Sequence, residues 1–275
     1  MNTAVRRAAV AGSFYPASPI ELAALVDAFV ADAGPSSTLE RGPKALVAPH
    51  AGYVYSGSIA GTAYAALAAR ASSVRRVVLL GPAHRVRVRG LALPGVTALE
   101  TPLGEVAVDE AAIASLADLP QVSTSPLAHA REHSLEVQLP FLQRVLRRFT
   151  VVPLVVGDAS PEEVAEVLER LWGGPETLIV ISSDLSHYLP YDVARNVDAQ
   201  TAERVLAGHF VEPEAACGAA PVNGLLVVAR RRGLRGALLD LRNSGDTAGA
   251  RDEVVGYGAV AFYEPSDTSA EGSLS

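Results

Sequence analysis

Three polar motifs, each carrying a histidine, follow directly on short apolar runs of strand character. Lys44-Ala45-Leu46-Val47-Ala48 leads into Pro49-His50-Ala51-Gly52-Tyr53. Val77-Val78-Leu79-Leu80 leads into Gly81-Pro82-Ala83-His84, and Thr177-Leu178-Ile179-Val180-Ile181 into Ser182-Ser183-Asp184-Leu185-Ser186-His187. A fourth run, Ala237-Leu238-Leu239-Asp240-Leu241, ends in a turn that carries Asp246. Imidazoles and carboxylates are the donors of divalent-metal sites and the groups that move protons in catalysis. Ligands of open α/β sheets bind outside the carboxyl ends of the strands. Four neighbouring strands would therefore gather His50, His84, His187, Asp184 and Asp246 in one crevice, as a metal or acid/base site.

The motifs differ in what else they could be. Pro49 and Gly52 set a tight turn around His50, and a histidine in a turn is often only hydrogen-bonded. Three of them at three strand ends favour a site. Asp184 and His187 are three residues apart and share a face if the chain turns helical there. They then act as a base with its orienter, or as two further ligands. Ser182-Ser183-Asp184 is also helix-capping chemistry, which is compatible with a functional His187. His133 stands between Glu132 and Glu136, which alone reads as an exposed helix start. His129 and His133 are four apart, but the glutamate precedes the second histidine rather than following the first, so the zinc-protease motif fails on order. His187, Asp184 and His133 are the candidate catalytic residues. His50, His84 and Asp246 are the candidate metal ligands. His129 and His209 are assigned to the surface. Cys217 is the only cysteine. No intrachain disulfide or cysteine-rich zinc site can form, and its small apolar neighbourhood reads as that of a buried, inert thiol.

The elements that must position these groups alternate along the chain. Ser18-Pro19-Ile20-Glu21 starts a helix that Gly34-Pro35 ends. A helix is expected over 58–71. Another is expected over 132–148, where Pro140 kinks it or marks its true first turn. Asp109 is a plausible cap for a short helix, and Ser160-Pro161-Glu162-Glu163 carries a capping box. Further helices are expected over 192–207 and 221–232, and strands over 149–156, 237–241 and 254–263. Gly256-Tyr257-Gly258 lies inside the last strand and reads as a bulge. Alternating strands and helices predict an α/β sandwich, a central mixed sheet with helices on both faces. A single domain over 1–264 is expected, with a small polar tail, 265–275, expected to be disordered.

Composition sets the limits. The chain has 275 residues, 49% of them hydrophobic, enough for a sizeable core. A net charge of -7 argues against a nucleic-acid surface. Arg85-Val86-Arg87-Val88-Arg89 and Arg230-Arg231-Arg232 read as solvated ends of elements, with a phosphate-bearing substrate as the functional reading. The first residues lack the apolar core of a signal peptide, and no apolar run reaches about eighteen residues. A cytoplasmic protein without membrane association is expected.

Taken together, several motifs resemble the Memo family. These are Ala11-Gly12-Ser13-Phe14-Tyr15-Pro16, Ala48-Pro49-His50-Ala51-Gly52-Tyr53, Gly81-Pro82-Ala83-His84, Glu132-His133-Ser134-Leu135-Glu136, Ser182-Ser183-Asp184-Leu185-Ser186-His187 and Val255-Gly256-Tyr257. They occur in order over about residues 7–264. The prokaryotic members, system protein B of the AmmeMemoRadiSam type, are encoded beside an AMMECR1-type protein and a radical SAM protein, which the resemblance implies as partners. The family fold is similar to that of class III extradiol dioxygenases of the LigB type. The resemblance implies His50 and His84 as metal ligands and His187 as an acid/base group. Those dioxygenases complete the site with a carboxylate, and eukaryotic Memo proteins with a cysteine. This chain has Thr247 there, so a carboxylate must come from Asp246 or Asp184 turned inward. Iron(II) is the expected ion, with copper or zinc as alternatives. Three functions stay open: an oxidoreductase of the non-haem iron kind, a non-enzymatic partner protein that kept the fold, and a metal-assisted hydrolase.

Overall fold

A computed structural model describes residues 4–34 and 42–265. The tail expected to be disordered lies, beyond Pro265, outside the described residues. The chain begins with β1 (Val5–Arg6), α1 (Pro19–Asp32), β2 (Ala45–Ala48), α2 (Tyr53–Ala65), β3 (Arg76–Pro82) and β4 (Leu91–Leu93). It continues through β5 (Ala98–Thr101), β6 (Gly104–Ala107), α3 (Glu110–Ala114), β7 (Val122–Thr124), α4 (Pro126–Ala130), α5 (Leu139–Val145) and β8 (Thr150–Val156). The last part holds α6 (Pro161–Arg170), β9 (Thr177–Ser182), β10 (His187–Leu189), α7 (Tyr191–Leu206), α8 (Ala219–Arg232), β11 (Arg235–Asn243) and β12 (Val254–Tyr263).

The main sheet is mixed. Its middle is parallel, in the order β2, β9, β3, β8, with Ala48 beside Ser182 and Leu80 beside both Ile181 and Leu154. Beyond β8, β4 runs antiparallel and β7 pairs with β4. Beyond β2, β12 runs antiparallel and pairs along its length with β11. Strands β1, β5 and β6 form a separate small sheet.

Burial on both faces explains the continuous apolar runs of the parallel strands. Alternate residues divide between two cores. Leu46, Ala48, Val77, Leu79, Val151 and Val180 pack on the side of α1, α2 and α5. Ala45, Val47, Val78, Leu80, Ile179 and Ile181 pack on the side of α6 and α8. Helices thus cover both faces.

Several elements differ from the sequence reading. Helix α2 begins at Tyr53, directly after the His50 turn. The segment 132–148 is a loop, a 3-10 turn over Glu136–Gln138, and then α5 with Pro140 in its first turn, where no N–H is needed. The chain is not helical at Asp184; it leaves β9 as coil and enters β10 at His187. Gly256 is no bulge, being in register with Asn243; the irregularities fall between Leu238 and Asp240 and between His187 and Leu189. A Cβ at Gly256 would lie 2.0 Å from Asp198 Oδ2, so the glycine admits α7 against β12.

Candidate metal centre

Position 50 is set by its backbone and by one serine. Beyond β2, the His50 N–H donates to Asp184 Oδ1 at 2.7 Å, tying the ends of β2 and β9 together. The imidazole is buried, with Nδ1 2.9 Å from Ser182 Oγ. That hydroxyl donates its own proton to the Ser134 carbonyl at 2.6 Å. It accepts from Gln138 Nε2 at 2.8 Å, an amide oriented by its bond to the Pro49 carbonyl and by the one it accepts from Tyr64 Oη. The remaining lone pair of Ser182 therefore accepts from His50 Nδ1–H, and Nε2 carries no proton. Burial, with His84 and His133 close by, holds His50 well below the usual imidazole range.

His84 is held by Glu132. Oε2 accepts from the His84 N–H at 2.7 Å, and Oε1 lies 2.9 Å from His84 Nδ1. Oε1 also accepts from the N–H groups of His133 and Ser134, both at 2.9 Å. Burial opposes ionisation of Glu132, but the bonds from His84 and Ser134 outweigh it and hold the carboxyl down at about 2. An ionised carboxylate only accepts, so His84 Nδ1 carries a proton and donates to Oε1, which leaves Nε2 as the nitrogen that can ligate. A carboxylate behind the ring is the usual support of a metal-ligating histidine.

Cys217 brings a third donor. It lies just before α8, anchored where Gly218 N–H donates to Ser183 Oγ at 3.0 Å. Its Sγ is 3.3 Å from His50 Nε2. One ring nitrogen each of His50 and His84 and the sulfur of Cys217 all lie within 4.8 Å of one another. A tetrahedral ion with bonds of about 2.0 Å to nitrogen and about 2.3 Å to sulfur has nitrogen–sulfur edges of about 3.5 Å. The three side chains fit such an ion. Burial, then the nearby Asp184, pushes the thiol up to about 12, so without an ion a neutral S–H faces an unprotonated nitrogen. Metal binding requires that proton to leave. The thiol is therefore not surrounded by apolar groups alone, as its sequence neighbourhood suggested.

The other candidates divide. Asp184 Oδ2 is 4.0 Å from His50 Nε2, and burial pushes the carboxyl up to about 7 against the bond from the His50 N–H. The His133 ring lies 4.7 Å from His84, nearly parallel, and 5.5 Å from His50. Its Nδ1 is 3.3 Å from Glu132 Oε1 but outside hydrogen-bonding geometry, so among the described residues it has no hydrogen-bond partner. Burial lowers His133 to about 4. His187, half-buried at the start of β10, interacts electrostatically with both His50 and His84. Asp246 is not brought into the cluster. It accepts from Tyr191 Oη and, at 3.0 Å, from the Asn243 N–H, which closes the 3-10 turn Ser244–Asp246. Neither metal-capable group found among the described residues, His50/His84/Cys217 or His84/Glu132/His133, includes it. His129, assigned to the surface by the sequence reading, is buried, with Nε2 2.7 Å from the Ala92 carbonyl. His209 is exposed.

Sequence reasoning passed over three residues of the site. Glu132 and Ser182 are orienting groups, and only their places beside His133 and at the end of β9 hinted at this. Cys217 is remote from every histidine motif, and its one signal was being the only cysteine, at the start of a helix.

The fold and the site define an α/β protein with an imidazole–thiol cluster at the carboxyl ends of its central parallel strands. The family model described as Memo-like protein matches residues 6–261, and the chain belongs to the Memo family. It is 38% identical to a MEMO1 family protein of Aquifex aeolicus, over 94% of this chain and 99% of that one. A MEMO1 family protein of Archaeoglobus fulgidus is 34% identical, with the same coverage of 94% and 99%. Among solved structures, an uncharacterized protein of Escherichia coli K12, JW3007, is similar in fold. Its TM-score is 0.50 at 15% identity, covering 78% of this chain and 98% of that one. Among the described residues, no helix is long and apolar enough to cross a membrane.

Proposed function

We propose that this Memo-family chain is a metal-dependent oxidoreductase whose divalent ion is held by His50, His84 and Cys217. The observation that carries the reading is the convergence of one ring nitrogen each of His50 and His84 with the Cys217 thiol, with both rings locked by Ser182 and Glu132. Two imidazoles and a thiolate suit iron(II), copper or zinc far better than magnesium or calcium. When bound, such an ion supplies Lewis acidity and, for iron or copper, one-electron chemistry. Three protein donors would leave an ion able to accept a further ligand, and His84 and Cys217 line a crevice from which one could come. Asp184, which burial pushes up to about 7, and His187, which burial lowers, both lie beside the cluster and serve to hold or move a proton.

The test is an anaerobic titration of metal-free protein with cobalt(II) and iron(II). Wild type is expected to take up one ion and to show the near-ultraviolet thiolate-to-cobalt band. Cys217→Ala is expected to lose that band and to bind at least tenfold more weakly, and His50→Ala and His84→Ala to bind more weakly still. Unchanged binding in all three variants would place any metal elsewhere. Iron uptake without dioxygen consumption across a panel of reductants would remove the redox part and leave a Lewis-acid site.

A further inference from the structure

A crevice of about 770 Å³ opens beside the metal centre, with His84 and Cys217 in its wall. The same wall carries Arg85, Arg87 and Asp158. The three arginines of the sequence Arg85-Val86-Arg87-Val88-Arg89 do not share one fate. Arg89 is fully engaged: it donates to Glu163 Oε1 at 2.9 Å, to Glu163 Oε2 at 3.1 Å and to the Asp158 carbonyl at 2.7 Å. Arg85 and Arg87 are exposed and, among the described residues, have neither a hydrogen bond nor an ion pair. The charge of Arg85 reaches the cluster, since it helps to hold His133 below the usual range.

The loop that carries them is anchored at both ends. At its start, Ala83 N–H donates to the Val156 carbonyl at 2.9 Å and His84 N–H to Glu132. At its end, Asp158 N–H donates to the Val88 carbonyl at 2.8 Å and Gly90 N–H to the Asp158 carbonyl at 2.8 Å. Val86 packs on one core and Val88 is buried in it, so the alternation sends the apolar residues inward and the arginines outward. Two unpaired guanidiniums on a braced loop, one position and three positions after a metal-capable histidine, are a fork for an oxyanion. The single carboxylate of that wall, Asp158, offsets only one of the two charges.

We infer that the crevice takes a small organic oxyanion, a carboxylate or a phosphate ester, with Arg85 and Arg87 holding its charged group while the remainder faces His84 and Cys217. This names a substrate class for the proposed metal centre and rests on that reading for its chemistry, but the binding itself needs no metal. Three probes of one skeleton test it: glycerol 3-phosphate, glycerate and glycerol, titrated by calorimetry into metal-free protein and into zinc-loaded protein. Arg85→Gln and Arg87→Gln change exposed side chains and leave the fold and the three donors intact.

Wild type is expected to bind one or both anions and not glycerol, more weakly as salt rises. Each substitution is expected to weaken the anion at least fivefold, and the double variant to abolish binding, with zinc stoichiometry unchanged. The relative affinities for glycerol 3-phosphate and glycerate decide between phosphate and carboxylate. Anion affinity unchanged in the double variant, glycerol binding as well as the anions, or no binding by wild type would overturn the inference. If the arginine variants lose the anion while His84→Ala and Cys217→Ala keep their zinc, the anion site stands and the metal reading fails.

Discussion

At the scale of single residues, the site is a matter of where protons are. His50 and His84 each have one nitrogen committed to a protein acceptor, and this leaves the other available to an ion. The commitment at His50 rests on Ser182, whose hydroxyl is itself oriented by Ser134 and Gln138. Ser182→Ala removes the acceptor for His50 Nδ1–H and leaves Gln138 with one acceptor fewer. Zinc affinity is expected to fall about tenfold, the range seen when support of a ligating histidine is removed. Stability is expected to fall by about 1–2 kcal/mol, the cost of unpaired buried polar groups. Zinc competition and urea unfolding on the same preparation measure both. A stability loss with unchanged zinc affinity would show that Ser182 braces the core and not the ring. The histidines were legible in the sequence because each ends a strand run. Their partners were not, because Ser182 and Glu132 acquire a role only through contacts with residues 132 and 48 positions away, respectively. The expected carboxylate, Asp246, is next to Thr247 in sequence but is taken by a local turn, and sulfur from a distant helix occupies the corresponding role in the proposed set.

At the scale of elements, α8 decides where the sulfur sits. Gly218 begins that helix against β9, where an added Cβ would meet Ser183 Cβ at 2.6 Å, Ser183 Oγ at 2.7 Å and the Ser182 carbonyl at 2.8 Å. The Ser182 carbonyl is backbone and Ser183 Cβ is attached directly to it, so even if Ser183 Oγ rotates these two cannot swing away. Gly218→Ala is therefore expected to push the start of α8 off β9 and carry Cys217 with it. We expect a loss of about 1–3 kcal/mol in urea unfolding, the range for overpacking. The thiolate-to-cobalt band should weaken, although no ligand has been changed. A full band in a destabilised variant would mean that Cys217 is placed by its own loop and not by the helix. Strand and helix order was legible because burial on both faces writes long apolar runs, as at Thr177–Ser182. Two elements near the site were not. Strand β10 has only three residues, and its register slips at Tyr188, a non-glycine residue with φ of 56°. Such an irregularity re-aims a side chain next to a site, here His187, and leaves no periodic trace in the sequence. The loop 131–135 looked like the first turn of a helix because Leu135, Leu139 and Leu142 keep helical spacing, but Pro140 and the bonds to Glu132 fix the true start later.

At the scale of the molecule, the parallel strands present their carboxyl ends to one edge, and the flanking segments must be held against that edge as a unit. One such brace is His129, which joins α4 to β4. Its Nε2 lies 2.7 Å from the Ala92 carbonyl, and its own carbonyl accepts from Arg6 Nε at 3.1 Å. The ring is buried, and burial lowers it from the usual 6.5 to about 4, against the raising effect of the Ala92 bond. The folded state thus binds this proton more weakly than the unfolded chain does. Between pH 6.5 and 4 the unfolded state carries more protons, so stability falls as pH falls. The contribution is complete above pH 6.5 and is lost as pH drops through the folded value, with a total on the order of 3 kcal/mol. His50 and His133 shift in the same direction, so wild type alone does not isolate the effect. His129→Gln keeps a neutral donor for the Ala92 carbonyl and removes the titration. The difference in unfolding free energy between wild type and His129→Gln, measured in urea at pH 7.5, 6, 5 and 4, cancels the other groups. That difference is expected to be nearly constant from pH 7.5 to 6.5 and then to move against wild type by an amount approaching the full figure near pH 4. A difference that stays flat across the series would mean that His129 reaches solvent when protonated and that acid loosens the fold elsewhere, first of all at His50 and His133.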